Sequence, residues 1–169
     1  MTQPDEELAA RLARIERRLD ALEAPAPRPA PVTDDPDQFW ALRQLRALAS
    51  EPGAVLFTGL VDLPGGAHYE WQEGRPAEAV LESDWAEQAP VLAALAHPAR
   101  VRILREVLRG AGSAAELQAI DGIESTGQLY HHVRQLTAAG WLRTTGRAQY
   151  AVPPERIIPL LVIMACAQR

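Results

Sequence analysis

Between Ser125 and Gln135 the chain places Ser125, Thr126, Gln128, Tyr130, His131, Arg134 and Gln135 around a helically spaced apolar stripe of Leu129, Val133 and Leu136. A helix presenting amides, a hydroxyl, an imidazole and a guanidinium to solvent suits the donor and acceptor pattern of a DNA major groove. Ser125 and Thr126 stand at its N-terminus, where the helix dipole favours a phosphate. Gln128 is placed either to read adenine or to complete a capping box with Ser125. Arg134 suits a phosphate or a guanine edge, and Tyr130 a thymine methyl or a phosphate. Downstream, Arg147 lies at or beside the tip of a short alternating segment, WLRTTGRAQYAV, which turns around Thr145-Gly146 and predicts a hairpin.

Other chemistry is poorly served. His131 and His132 are adjacent, and helix neighbours point about 100 degrees apart, so the pair cannot close on one metal ion as residues i and i+4 do. One of them is left to face the core or hold a backbone group, the other to meet phosphate or solvent. No phosphate-binding glycine fingerprint and no HExxH is present. The expectation is therefore no enzyme, no cofactor and no metal site.

The elements that position these residues follow in order. AHPARVRILREVL starts a helix with Pro98 at its first position and Val101, Leu104 and Leu108 in a stripe. Gly110 and Gly112 bracket a break, and SAAE opens a second helix with Ser113 as cap and Glu116 reaching back. The helix starting at Ser125 ends at Gly140, and the hairpin follows. Three helices and a strand-turn-strand in this order are the plan of a winged helix-turn-helix domain.

At these residues the chain resembles the ArsR-type winged helix-turn-helix regulators, whose recognition segments look like SHHLKxLxxAGLV, against YHHVRQLTAAGWL here. ALAHPARVRIL is similar to the stretch that precedes the motif in that family. The resemblance covers roughly the last half of the chain. It implies a homodimer that sets one recognition helix per subunit into successive major grooves. The family's metal-sensing residues do not carry over, since AAELQAI stands where those sensors have cysteines and ERIIPLLVIMACAQ offers no Asp or His.

Charge divides the chain. The formal net value is -5, against binding a polyanion, yet residues 1–89 hold 8 Arg and 17 acids (-9) while residues 90–169 hold 9 Arg and 5 acids (+4). The cationic half is the half carrying the motif. With 169 residues and 47% hydrophobic content, one main domain with appendages is expected. The single cysteine, Cys166, excludes an intramolecular disulfide framework and reads as a packing residue. The N-terminus lacks a signal-peptide pattern and the apolar run 157–167 is too short to span a bilayer, so a soluble, cytoplasmic protein without a membrane partner is expected.

Residues 1–24 carry Leu8, Leu12, Ile15, Leu19 and Leu22 at spacings of four, three, four and three, a heptad seam that predicts a short coiled coil or a helix packed on its own subunit. Residues 25–38 are a Pro-rich linker. Residues 39–83 read as a helix, with Trp40 or Phe39, Leu42, Leu45 and Leu48 on its apolar side, and a β-hairpin around Pro64-Gly65-Gly66. Val55, Phe57, Val61, Tyr69 and Trp71 supply its packed face, or line an effector pocket with Glu70 or His68 as polar anchor. Residues 84–169 form the winged domain. It opens with a helix from Asp84 to Leu95 that turns Trp85, Leu92 and Leu95 inward and is kinked or started late by Pro90. It closes with a helix over 154–167 whose Ile157, Leu161 and Met164 share one side and form a dimer contact.

The fold expected is thus mainly α with small β-hairpins, α+β in class. The function expected is that of a homodimeric, sequence-specific regulator of transcription on double-stranded DNA. Two other readings compete: a winged scaffold that binds protein, and a ligand-responsive repressor with its effector site in residues 39–85.

Overall fold

A computed structural model describes residues 39–168. The expected coiled-coil residues Leu8, Leu12, Ile15, Leu19 and Leu22 and the linker 25–38 lie outside the described residues. Among the described residues the chain is mixed α+β, with seven α-helices and two antiparallel hairpins. Of the described residues, those from 43 to 168 belong to one compact unit.

Helix α1 spans Trp40–Leu48; of the residues expected on its apolar side, Trp40, Leu42 and Leu48 are exposed and Leu45 is half-buried. Strands β1 (Ala54–Asp62) and β2 (His68–Pro76) pair from Ala54↔Pro76 to Asp62↔His68. Their turn is built on Pro64, with the Gly66 N–H donating to the Leu63 carbonyl at 2.8 Å and Gly66 at φ 80. Val61 and Tyr69, directly opposed, pack against the main core with Leu63. Val55 and Trp71, expected on the packed face, remain exposed, because the core covers that face only at its Val61–Tyr69 end and at Gly59 across the ribbon from Trp71.

The expected helix over 84–95 is broken. After α2 (Ala77–Glu82), a 3-10 turn over Trp85–Gln88 leads into α3 (Ala89–Ala93), with Pro90 in its first turn. Asp84 caps the 3-10 turn, its Oδ1 accepting the Ala86 N–H at 2.9 Å. Pro90 has no N–H to extend an earlier helix and so marks the late start. Trp85 and Leu92, expected inward, are exposed, and Leu95 is half-buried against the core.

Helix α4 (Pro98–Leu108) starts as expected, with Pro98 at the first position and His97 as N-cap, its Nδ1 accepting the Ala99 N–H at 3.2 Å. Its deepest residues are Ala99, Ile103 and Leu104. Val101 and Leu108, expected in the buried stripe, are half-buried, because the helix has two apolar sides and the core takes the one bearing Ile103. Helix α5 (Ala114–Gln118) carries the full capping box: Ser113 Oγ accepts the Glu116 N–H at 3.3 Å and Glu116 Oε2 accepts the Ser113 N–H at 2.8 Å. Helix α6 (Thr126–Ala138) ends before Gly140 at φ 73. Strands β3 (Arg143–Gly146) and β4 (Gln149–Ala151) form the second hairpin. The terminal helix α7 spans Pro154–Ala167.

Ile103, Leu104, Leu117, Leu129, Leu136, Trp141, Leu142 and Ile157 fill the centre of the core, which draws on α4 to α7 and the segment between α6 and β3. Trp141 is tied at its polar end, where Nε1 donates to the Val91 carbonyl at 2.9 Å. Cys166 is exposed rather than packed, since α7 runs past the core before its last turn.

Candidate nucleic-acid interface

Helix α6 divides cleanly. Leu129, His132, Val133 and Leu136 are buried, at the spacing of a single helical face. Thr126, Tyr130, His131, Arg134 and Gln135 are exposed on the remaining surface, with Ser125 at the N-cap. Of the two adjacent histidines, His132 faces the core and His131 faces solvent.

Gln128 is committed to its own helix start. Its backbone N–H donates to Ser125 Oγ at 3.2 Å, its Oε1 accepts the Glu124 N–H at 2.8 Å, and its Nε2 donates to the Gly122 carbonyl at 3.5 Å. The reciprocal bond goes to Glu124 rather than to the N-cap N–H of Ser125, so this is a displaced form of the expected capping box. Its amide is therefore not free to read a base, which corrects the adenine-reading alternative for Gln128.

The second hairpin is strapped to the start of α5. The Tyr150 N–H donates to the Gly112 carbonyl at 2.8 Å, the Ala114 N–H donates to the Ala148 carbonyl at 2.9 Å, and Ser113 bridges to Gln149. Residues 112–114 thus run along β4 as a further extended segment. Arg147 sits in the Arg147-Ala148 turn, with Ala148 at φ 55. Tyr150 is buried in β4, and burial, with Tyr130 as a nearby second cause, raises its phenol above the ordinary value.

Arginines in this half of the chain differ in what they hold. On α4, Arg100 donates to the Ala93 carbonyl at 2.9 Å, Arg102 to the Asp121 carbonyl at 3.0 Å, and Arg105 pairs with Glu106. Arg134, Arg143 and Arg147 are exposed and, among the described residues, form no ion pair or hydrogen bond. No Asp or Glu lies between Ser125 and Val152. Arg143 escapes the sequence reading, although the alternation of the hairpin, with Leu142 inward, would have turned it outward.

The expected dimer residues separate. Ile157 is 2% exposed within its own subunit's core and so cannot reach a partner, a correction that follows from its place in the same core cluster as Trp141 and Leu136. Leu161 and Met164 are half-buried. With Val101, Leu104, Leu108 and Leu160 they line an open cavity of about 330 Å³ between α4 and α7.

His68, offered as a polar anchor, is held by acids instead: Nδ1 lies 2.6 Å from Asp62 Oδ1 and Nε2 lies 3.2 Å from Glu70 Oε1. These bonds raise its pKa, Asp62 first and Glu70 second. No group of three or more His, Cys, Asp or Glu among the described residues is arranged to hold a metal ion. No helix among them is long and apolar enough to cross a membrane.

No protein-family model matches the chain, and neither a curated protein nor a solved structure matches it.

Proposed function

We propose that residues 98–152 work as a winged helix-turn-helix unit and that the protein is a homodimeric, sequence-specific regulator of transcription in the cytoplasm. In this reading α6 enters the major groove and the Arg147 turn is the wing, lying against the backbone. The observation that carries it is the exposure of Arg134 on the helix and of Arg143 and Arg147 on the hairpin, none of them with an acidic partner among the described residues. Solvated cations spent on no internal contact are the groups that neutralise phosphates and release counterions. Tyr130, His131 and Gln135 add base-reading or backbone chemistry on the same helix, and Ser125 and Thr126 add the N-terminal phosphate position. The resemblance of YHHVRQLTAAGWL to ArsR-type recognition segments supports the same assignment. Selection from a random pool of duplexes at a stated salt concentration tests it: one enriched sequence with a two-fold repeat is the expected result, and an unenriched pool contradicts it.

A second reading has its own observation. Leu48, Leu60, Leu81 and Trp85 are each more than 60% exposed, outside the helix and hairpin assigned to DNA. A contiguous apolar patch marks a protein-binding site, and these side chains are the ones a winged scaffold that binds protein would use.

A further inference from the structure

His132 lies on the buried side of α6, with 5% of its surface exposed, and neither ring nitrogen has a hydrogen-bond partner among the described residues. Its ring stands 4.6 Å from that of His97, the N-cap of α4, at a 46° tilt, and 5.6 Å from that of His131 on its own helix. The charged and titratable groups acting on it are His97 and Arg100 from α4 and His131 from α6. All are cations or become cations in acid. A neutral imidazole fits this setting; an imidazolium does not, because among the described residues no carboxylate compensates the loss of hydration.

We propose that His132 is a proton-operated latch: neutral, it lets α6 seat on the N-terminus of α4, and protonated, it loosens that contact and withdraws the exposed face of α6 from its working geometry. The latch itself depends only on the packing of α6 on α4. Its consequence, release of duplex in acid, rests on the proposed DNA reading.

Burial holds the His132 pKa below the ordinary imidazole value of 6.5, and His97, His131 and Arg100 push it the same way. The unfolded chain therefore takes up this proton before the folded one does. Stability from the neutral ring is complete above about pH 6.5 and is lost as pH falls from there through the depressed folded value. His97 and His131 are exposed, and protonating either one places a second positive ring beside His132.

The full chain is titrated by NMR through its histidine ring protons, and its urea unfolding is followed at about pH 7.5 and about pH 5.5, on either side of the ordinary imidazole value. The expected result is a His132 ring that titrates below 6.5, together with a lower urea midpoint in acid. In His132→Leu, which stays apolar and cannot protonate, much of that acid loss disappears. A His132 ring titrating at or above 6.5 overturns the proposal even if the variant fails to fold, and an undiminished acid loss in a folded His132→Leu overturns it as well. Duplex affinity measured at the same two pH values separates the two claims. A parent that binds duplex at neither pH contradicts the DNA reading and leaves the latch standing. A parent that binds equally at both pH values, while losing stability in acid, contradicts the link between the latch and the DNA face.

Discussion

Gly59 in β1 lies directly beneath Ile158 in α7: a Cβ added at Gly59 would stand 2.5 Å from Ile158 Cγ2 and 3.0 Å from Cδ1. The absent side chain lets the first hairpin lie flat on the terminal helix, with Ile158 2% exposed in the space left over. Gly59 pairs with Trp71 across the ribbon, so the contact falls in the middle of the sheet face. This close approach, together with Val61, Leu63 and Tyr69 on the core, joins the hairpin to the helix that also contributes Ile157 and Leu160.

Because Ile158 is β-branched and stiff, it cannot swing away from an added methyl. Gly59→Ala is therefore expected to destabilise the protein by about 1 to 3 kcal/mol, the usual cost of overpacking. Ile158→Ala in the same chain should recover part of that loss. Urea unfolding of the four members of the double-mutant cycle measures the coupling, and additive effects would contradict a direct contact.

The cap of α5 gives a pH-dependent prediction. Hydrogen bonds from the Ser113 side chain and then from its backbone N–H hold the Glu116 carboxyl below its ordinary value of 4.5. Stability from the ionised Glu116 is complete above that value and is lost as pH falls through the depressed folded pKa. The stability gap between the parent and Glu116→Gln should therefore close in acid. Ser113→Ala should cost about 1 kcal/mol near neutral pH, the ordinary cost of a lost N-cap. A gap to Glu116→Gln that persists at the lowest pH would show that the carboxylate is not the stabilising form.

Exposed His68 has the opposite sign. Its raised pKa means that the contribution of its bonds to Asp62 and Glu70 is fully present below 6.5 and is lost as pH rises through the folded value. His68→Gln should flatten the stability profile on the alkaline side. A His68 ring titrating at or below 6.5 by NMR would contradict the paired geometry.

Assembly is tested at Leu161, which lines the open cavity between α4 and α7 while Ile157 serves the core. Analytical ultracentrifugation of the parent at micromolar concentration should show a dimer, and Leu161→Glu should shift it toward monomer with the circular dichroism retained. A dimer untouched by Leu161→Glu would place the subunit contact elsewhere.

The starts of α4, α5 and α6 are legible in the sequence because caps are local: Pro98, the Ser113–Glu116 box and Ser125 each act within one helical turn. The exposed polar face of α6 follows from the spacing of Leu129, Val133 and Leu136. What periodicity cannot tell is which body covers an apolar face. Ile157 reads as a dimer residue and belongs to its own core, and Trp85 reads as inward and is exposed. His132 completes a buried stripe that a polar residue hides from any hydrophobic pattern. Gln128 had two uses equally open in sequence, and only the position of Glu124 and Gly122 decides between them.

In the proposed DNA complex the α6 face and the Arg147 turn meet the duplex through Arg134 and Arg147, which pair with no acid among the described residues. The most direct measurement is a salt titration of duplex binding by the parent, Arg134→Ala and Arg147→Ala, using the duplex enriched by selection. Each variant is expected to bind more weakly. Loss of a phosphate contact should reduce the salt slope by roughly one, and loss of a base contact at Arg134 should cost about 1 to 3 kcal/mol with relaxed specificity at one position. Variants that match the parent in affinity and in slope at every salt concentration would contradict the account.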